Sequence, residues 1–242
     1  MERIGMVTVG QSPRDDLVPF MTPHFSRPVQ VLEAGALDQL ALPEIRALGP
    51  EPGETGIVAR LRDGSETLLS HAKILPRVQA CADRLQAQGA EILVVLCGAD
   101  WSALVTKVLV VNPGRVFPAI VSALAGGRRL GVIKPSAGQL DQARRQFAER
   151  GIEAHVTAAS PYCGEARLAE ARRAAEALRA AGVDVVWMTC VGMDEAMREV
   201  VSGVVGTPVI LARSILARVI DELLAGGRVP AASTNSFVDA RN

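Results

Sequence analysis

The sequence predicts an α/β fold of two pseudo-symmetric lobes, each built on a mostly parallel sheet, with a cleft between the lobes and a hairpin inserted in the first. Three observations predict it. Short apolar runs alternate with helix-length segments, the alternation calls for parallel strands joined by right-handed crossovers, and one strand-and-turn segment occurs twice, 93 residues apart.

The run Ile4 to Val9, bounded by Gly10, reads as a buried strand. It feeds a helix expected to start at Ser12-Pro13-Arg14-Asp15, with Ser12 as N-cap, Pro13 in the first turn and Asp15 completing a capping box. Pro28 to Leu32 is a second strand. The stretch 56–69 alternates on either side of Asp63-Gly64 and reads as a hairpin, an arm that parallel units do not normally contain, and it is expected near one edge. A helix opened by Ser70 or His71 ends at Gly89, and Ile92 to Leu96 is a buried strand that delivers Cys97 to its far end. Strands at 108–111, 130–133, 154–157, 183–188 and 209–211 then alternate with helices at 115–124, 139–150, 165–181, near Glu195, and 214–224. The tail from Gly226 to Asn242 has no clear periodicity.

The repeat pairs Gly89-Ala-Glu-Ile-Leu-Val-Val-Leu-Cys97-Gly98 with Gly182-Val-Asp-Val-Val-Trp-Met-Thr-Cys190-Val191. In both, an alanine-rich helix ends at glycine, an acidic residue opens the strand and cysteine closes it. A second echo links Arg3-Ile-Gly-Met-Val with Arg129-Leu-Gly-Val-Ile. Together they divide the chain into a first lobe of residues 1–115 plus 213–242 and a second of 116–212, the last helix returning to complete the first.

Composition narrows the function classes. The 242 residues are 49% hydrophobic, enough for a sizeable core, while 26 basic and 26 acidic residues leave no net charge to favour nucleic acid. Aromatic residues make up only 3%, which argues against stacking platforms for bases. No apolar run approaches membrane-span length, and the first residues already read as a strand, so a soluble cytoplasmic protein is expected. Four cysteines without a CxxC pair are expected to be free thiols rather than disulfides or zinc ligands, and the three histidines show no ligand spacing, so no metal is expected. The GxGxxG and GxxxxGK cradles are absent, and no cofactor is expected.

Ligands of open α/β folds bind beyond the carboxyl ends of strands, where Cys97 and Cys190 are expected. Cysteine is also a common core residue, and that reading suits Cys81, inside a helix between Val78 and Leu85. For the matched pair, one thiol on each side of a ligand suits proton removal from one face of a carbon and delivery to the other. The turns Gly98-Ala99-Asp100 and Val191-Gly192-Met193 offer backbone N–H groups to a carboxylate or to the charge that develops when its neighbouring carbon is deprotonated. Asp100 and Asp194 could orient the thiols or cap helices. Gly10, Gln11 and Ser12 form an anion-friendly turn, and Arg14 is either a surface cation or a bidentate carboxylate clamp. Arg115 is a further candidate substrate cation, with Arg213 in a comparable place before a late helix, and Tyr162-Cys163 could line the cleft or support it.

These residues resemble the AroM-like family, a branch of the aspartate, glutamate and hydantoin racemase superfamily. The resemblance spans residues 2 to about 225 and is most specific at Gly10-Gln11-Ser12-Pro13-Arg14, at the Arg60-Leu-Arg-Asp-Gly hairpin and at the Pro76-bearing helix leading to Cys97. It implies two Rossmann-like lobes, an inter-lobe active site, cofactor-independent racemisation or a related reaction, and Cys97 and Cys190 as the catalytic pair. Hydantoin racemases are similar at Cys97-Gly-Ala-Asp100 and Cys190-Val-Gly-Met193. The chain departs from amino-acid racemases, which usually carry Cys-Asn-Thr at the first site and Cys-Thr followed by an acidic residue or histidine at the second. That departure argues against carrying over aspartate or glutamate as substrate.

The reading is a racemase or epimerase of a small carboxylate, an amino-acid derivative or a cyclic amide. A cysteine-dependent isomerase or decarboxylase, which would use the thiols differently, and a noncatalytic carboxylate-binding protein, which would need no thiol pair, are the alternatives. An α/β enzyme of this size commonly assembles as a homodimer.

Overall fold

The structure, a computed structural model, describes residues 2–227. In chain order the elements are β1 (Glu2–Thr8), α1 (Val18–Met21), β2 (Val29–Gly35), α2 (Leu42–Ala47), the hairpin β3 (Ile57–Arg60) and β4 (Glu66–Leu69), α3 (His71–Ala87), β5 (Ile92–Val95), β6 (Leu109–Val111) and α4 (Pro113–Leu124). They continue with β7 (Leu130–Lys134), α5 (Leu140–Ala148), β8 (Ala154–Ala158), α6 (Arg167–Ala180), β9 (Val185–Met188), α7 (Glu195–Val205), β10 (Val209–Leu211) and α8 (Ala212–Ala225).

Two four-stranded sheets result, ordered β2-β1-β5-β6 and β8-β7-β9-β10, every neighbouring pair parallel. They are the same permutation twice. Ile4 pairs with Ile92 in the first sheet and Leu130 with Val185 in the second, so the echoes in the sequence are equivalent strands in equivalent register. The packing repeats as well: a side chain at Gly5 would press on Leu85, Ala90 and Leu93, and one at Gly131 on Leu178, Val183 and Val186. Only glycine on the central strand lets the covering helix come so close. Positive φ at Gly89 and Gly182 ends the helices before β5 and β9 in the same way.

Core strands are buried on both faces, as crossover helices on each side of a parallel sheet require: Ile4, Met6, Val7, Leu93 and Val94 are essentially inaccessible, as are Leu130, Val132 and Ile133. The helices that follow the outer strands change sides. Phe117 of α4 packs edge-to-face on Trp187 of β9 with centroids 5.2 Å apart, while α8 packs against α1. One hydrophobic cluster therefore runs from Ile4 and Leu17 through Phe117 and Trp187 to Leu216 and Ile220.

Three expectations need correction. Ser12 does not cap a helix, because its N–H and hydroxyl donate to the Asp38 carboxylate at 2.9 and 2.6 Å while the Arg14 N–H donates to Glu33. With those donors satisfied by acidic residues following or within β2, residues 12–17 stay irregular and α1 begins at Val18. The hairpin is present but does not sit apart at an edge. It accepts the Gln11 N–H at the Arg60 carbonyl, and it reaches the other lobe through Gln139 to the Gly56 carbonyl and Ser160 to Glu66. The short helix α2 was not anticipated; Pro43 in its first turn and the Glu44 carboxylate accepting from the Ala41 N–H stabilise its start. The aperiodic tail assigned to 226–242 lies outside the described residues from 228 onward.

Candidate active site

In each sheet the chain leaves the first strand on one side and returns on the other, which opens a crevice at the carboxyl ends of β1 and β5 and of β7 and β9. Four residues stand at these ends: Thr8 closes β1, Cys97 follows β5, Lys134 closes β7 and Cys190 follows β9. The two crevices face each other. Gly98 lies so close to the second lobe that a Cβ there would contact the Thr189 carbonyl at 3.4 Å.

Cys97 lies within the field of Cys190, and both thiols lie within that of two shared cations, Lys134 and Arg14. Burial pushes Cys97 up to about 11 from an ordinary 9.0, against the pull of the Ala99 N–H and those cations. Burial raises Cys190 too, opposed by the Gly192 N–H, which donates to its sulfur at 3.4 Å, and by Arg14, Tyr162 and Lys134. Both thiols are therefore protonated at neutral pH, Cys97 with only 8% of its surface exposed. Burial lowers Lys134, and the thiols act in the opposite direction. Cys81, by contrast, is a core residue beneath the first sheet.

Arg14 is fully engaged. Its Nε and Nη2 grip both oxygens of Asp16 at 2.8 Å, Nη1 donates to Thr8 at 3.1 Å, and Nη2 donates to the Tyr162 hydroxyl at 3.2 Å. Tyr162 in turn lies over Gly192, where any Cβ would overlap its hydroxyl and ring, and its hydroxyl is near enough to Cys190 to favour the thiolate. Burial drives its own ionisation upward, so it is a neutral donor.

The turns that carry the cysteines are clamped from the helices that follow the next outer strand. Asn112 accepts the Trp101 N–H and donates to Asp100, and Gly114 leaves room for the Ala99 carbonyl. In the second half the work falls to Arg213, 2% exposed, which donates to the Asp16 carbonyl in its own lobe and, across the lobes, to the carbonyls of Val191 and Gly192. Holding those carbonyls turns the following N–H groups toward Cys190. Glu195 completes its charge at 3.3 Å.

Of the residues singled out in the sequence, Cys97, Cys190, Arg14, Gly98, Ala99 and Gly192 meet at this junction. Gln11 and Ser12 are tied to the hairpin and to Asp38, and Gly10 is pressed against the Arg60 backbone. Asp100 caps its own loop through Ser102, and Asp194 caps α7 through the Met197 N–H, so neither orients a thiol. Arg115 bonds Ser102 and lines a surface cleft with Trp101 and Leu109. The side chains of Val191 and Met193 are buried in hydrophobic clusters, leaving only their backbone to the site. Lys134, Asp16 and Arg213 were missed or unplaced as site groups, although a lysine ending an otherwise apolar buried strand is a visible anomaly.

The architecture is that of a two-lobed α/β protein with one thiol from each lobe at the lobe junction. The chain belongs to the AroM family: the family model described as AroM protein matches residues 4–224. No curated protein matches the chain. Similar solved structures include allantoin racemase from Klebsiella pneumoniae (16% identity, TM-score 0.62, covering 100% of this chain and 95% of that one). Glutamate racemase from Francisella tularensis in complex with D-glutamate is similar at 12% identity and TM-score 0.61, covering 97% and 84%. Unliganded arylmalonate decarboxylase is similar at 20% identity and TM-score 0.57, covering 96% of each chain. No described helix is long and apolar enough to cross a membrane.

Proposed function

We propose that the protein is a cofactor-independent racemase or epimerase that inverts the carbon next to the carboxylate of a small substrate, with Cys97 and Cys190 on opposite faces of that carbon. One observation carries the reading: the thiols follow equivalent strands of two lobes whose Gly98 and Thr189 turns meet, with Lys134 and Arg14 acting on both. Family membership agrees with it.

In the proposed reaction one cysteine is a thiolate and the other a thiol. The thiolate takes the α-proton, the electron pair of the C–H bond passes into the carboxylate as an enediolate-like charge, and the opposite thiol returns a proton to the other face. Each inversion exchanges which sulfur is ionised. The N–H groups of Ala99 and Gly192 and the nearby cations favour the thiolate form, and exclusion of water strengthens every such interaction. Since Cys97 is buried, admission of substrate requires the lobe contacts made by the hairpin through Gln139 and Ser160 to yield. Among the described residues we assign 2–115 with 213–227 to one lobe and 116–212 to the other.

The test is a screen of chiral carboxylates, amino-acid derivatives and hydantoins in deuterated water, read by loss of optical rotation and by deuterium at the α-carbon. Inversion with one solvent deuterium incorporated is expected. Release of carbon dioxide from a malonate, without inversion of any acid, would replace this reading with a decarboxylase.

A further inference from the structure

Lys134 occupies the position in the second lobe that Thr8 occupies in the first, the last residue of the central strand. Its backbone is fixed on both sides. Ile133 is paired with Met188 and accepts the Thr189 N–H at 3.1 Å, while the Lys134 carbonyl accepts the Ala159 N–H at 2.9 Å. Lys134 thus stands at the end of the sheet next to Thr189 and Cys190, half-buried and close enough to Cys190 and Cys97 to act on both.

Among the described residues no carboxylate comes within ion-pair distance of the Lys134 ammonium. The other cation at the site is already compensated, since Arg14 is gripped by Asp16, which also lies 3.8 Å from Arg60. Lys134 is thus the cation at the junction with no carboxylate of its own, while Arg14 and Arg60 share Asp16. That charge is in the field of both sulfurs.

We propose that Lys134 is the carboxylate-binding residue of the site and makes it selective for monocarboxylates over dicarboxylates and neutral cyclic amides. The inference rests on the proposed carbon-acid reading and names its substrate class. A single carboxylate restores neutrality beside Lys134 and places its neighbouring carbon next to the thiols. As the α-proton leaves, the growing charge on the carboxylate oxygens is met by the same ammonium, so the contact strengthens in the transition state. A second carboxylate would find Arg14 occupied by Asp16 and would be buried without a partner. A neutral amide would leave the ammonium unpaired.

The experiment compares wild type with Lys134→Gln and Lys134→Arg, using mandelate and lactate as monocarboxylates, malate as the dicarboxylate and 5-benzylhydantoin as the neutral amide. Two readouts are taken: α-deuterium incorporation, and protection of Cys97 and Cys190 from iodoacetamide. Wild type should be protected by the monocarboxylates and act on them at least a hundredfold better than on malate or the hydantoin. Lys134→Gln should lose both effects at least fiftyfold, and Lys134→Arg should recover part of the protection; thermal melts of both variants report whether they are folded. Monocarboxylate binding unchanged in folded Lys134→Gln, or no protection of wild type by either monocarboxylate, overturns the assignment. If wild type exchanges the hydantoin as well as it exchanges the monocarboxylates, the assignment fails and the racemase reading stands. If lysine-dependent protection is seen without exchange of any carbon acid, the racemase reading fails and the binding assignment stands.

Discussion

The Tyr162 hydroxyl accepts a hydrogen bond from Arg14 Nη2 at 3.2 Å, joining residues 148 positions apart and linking the first lobe's buried cation to the second lobe's thiol. Because Tyr162 packs on Gly192 beside Cys190, it positions the turn that carries that thiol. Tyr162→Phe keeps the ring and removes only the hydroxyl. A hydrogen bond to an ionised partner is worth about 1.5–3 kcal/mol, so turnover should fall about 10- to 100-fold. Tyr162 favours the thiolate, so its loss should move Cys190 ionisation to higher pH, read from thiolate ultraviolet absorbance in a Cys97→Ser background. An unchanged titration would remove Tyr162 from the site.

The two thiols should be separable. Cys97→Ser and Cys190→Ser should each cut inversion by about 10²-fold or more, the usual scale for a lost acid–base group. Each variant should still exchange the α-proton of one enantiomer, and the two variants should prefer opposite enantiomers. Chiral chromatography with deuterium NMR decides it. Full inversion by either variant would exclude the two-sided mechanism.

Arg213 should matter to stability as well as to catalysis. Arg213→Met strands the carbonyls of Val191, Gly192 and Asp16 and leaves Glu195 without its partner. Breaking such a buried set costs about 3 kcal/mol, moderated here by the partial exposure of Glu195. Urea unfolding should show a lower midpoint at unchanged slope, with Arg213→Lys intermediate. No change in midpoint would show that the clamp is not structural.

The buried Cys97 thiol predicts a loss of stability in base. Its folded value is raised from 9.0 to about 11, so the unfolded chain ionises first. The contribution is fully present below pH 9.0 and is lost as pH rises toward about 11. At about pH 10.5 the loss amounts to about 2 kcal/mol. Relative to its own value at pH 8, Cys97→Ala should lose less stability than wild type by that amount. Parallel losses in the two proteins would mean that Cys97 is not buried as described.

Much of the fold was legible because its signals are local. The buried runs ending at Val9 and Leu96 announce strands of a doubly covered sheet, Ser70 writes the start of α3, and Gly89 and Gly182 write the ends of two helices. The loop at Ser12 misled because a serine followed by proline and acidic residues carries the same local signature as an N-cap. Asp38 and Glu33, some 20 residues on, competed successfully for its donors.

By itself the sequence determined the alternation of strands and helices, the duplication that sets Cys97 and Cys190 at matching strand ends, and the departure of the residues after them from the amino-acid racemase pattern. Those features depend on periods of two and 3.6 residues and on short motifs, which neighbours along the chain define. Only the tertiary structure decided that Asp16 neutralises Arg14, that Tyr162 meets Arg14 beside Cys190, that Arg213 ties the Val191 turn to the other lobe, and that among the described residues no carboxylate comes within ion-pair distance of Lys134. Arg14 and Asp16 are neighbours along the chain, but the contacts of Tyr162 and Arg213 join residues more than a hundred positions apart, and no periodicity reveals which of those will meet.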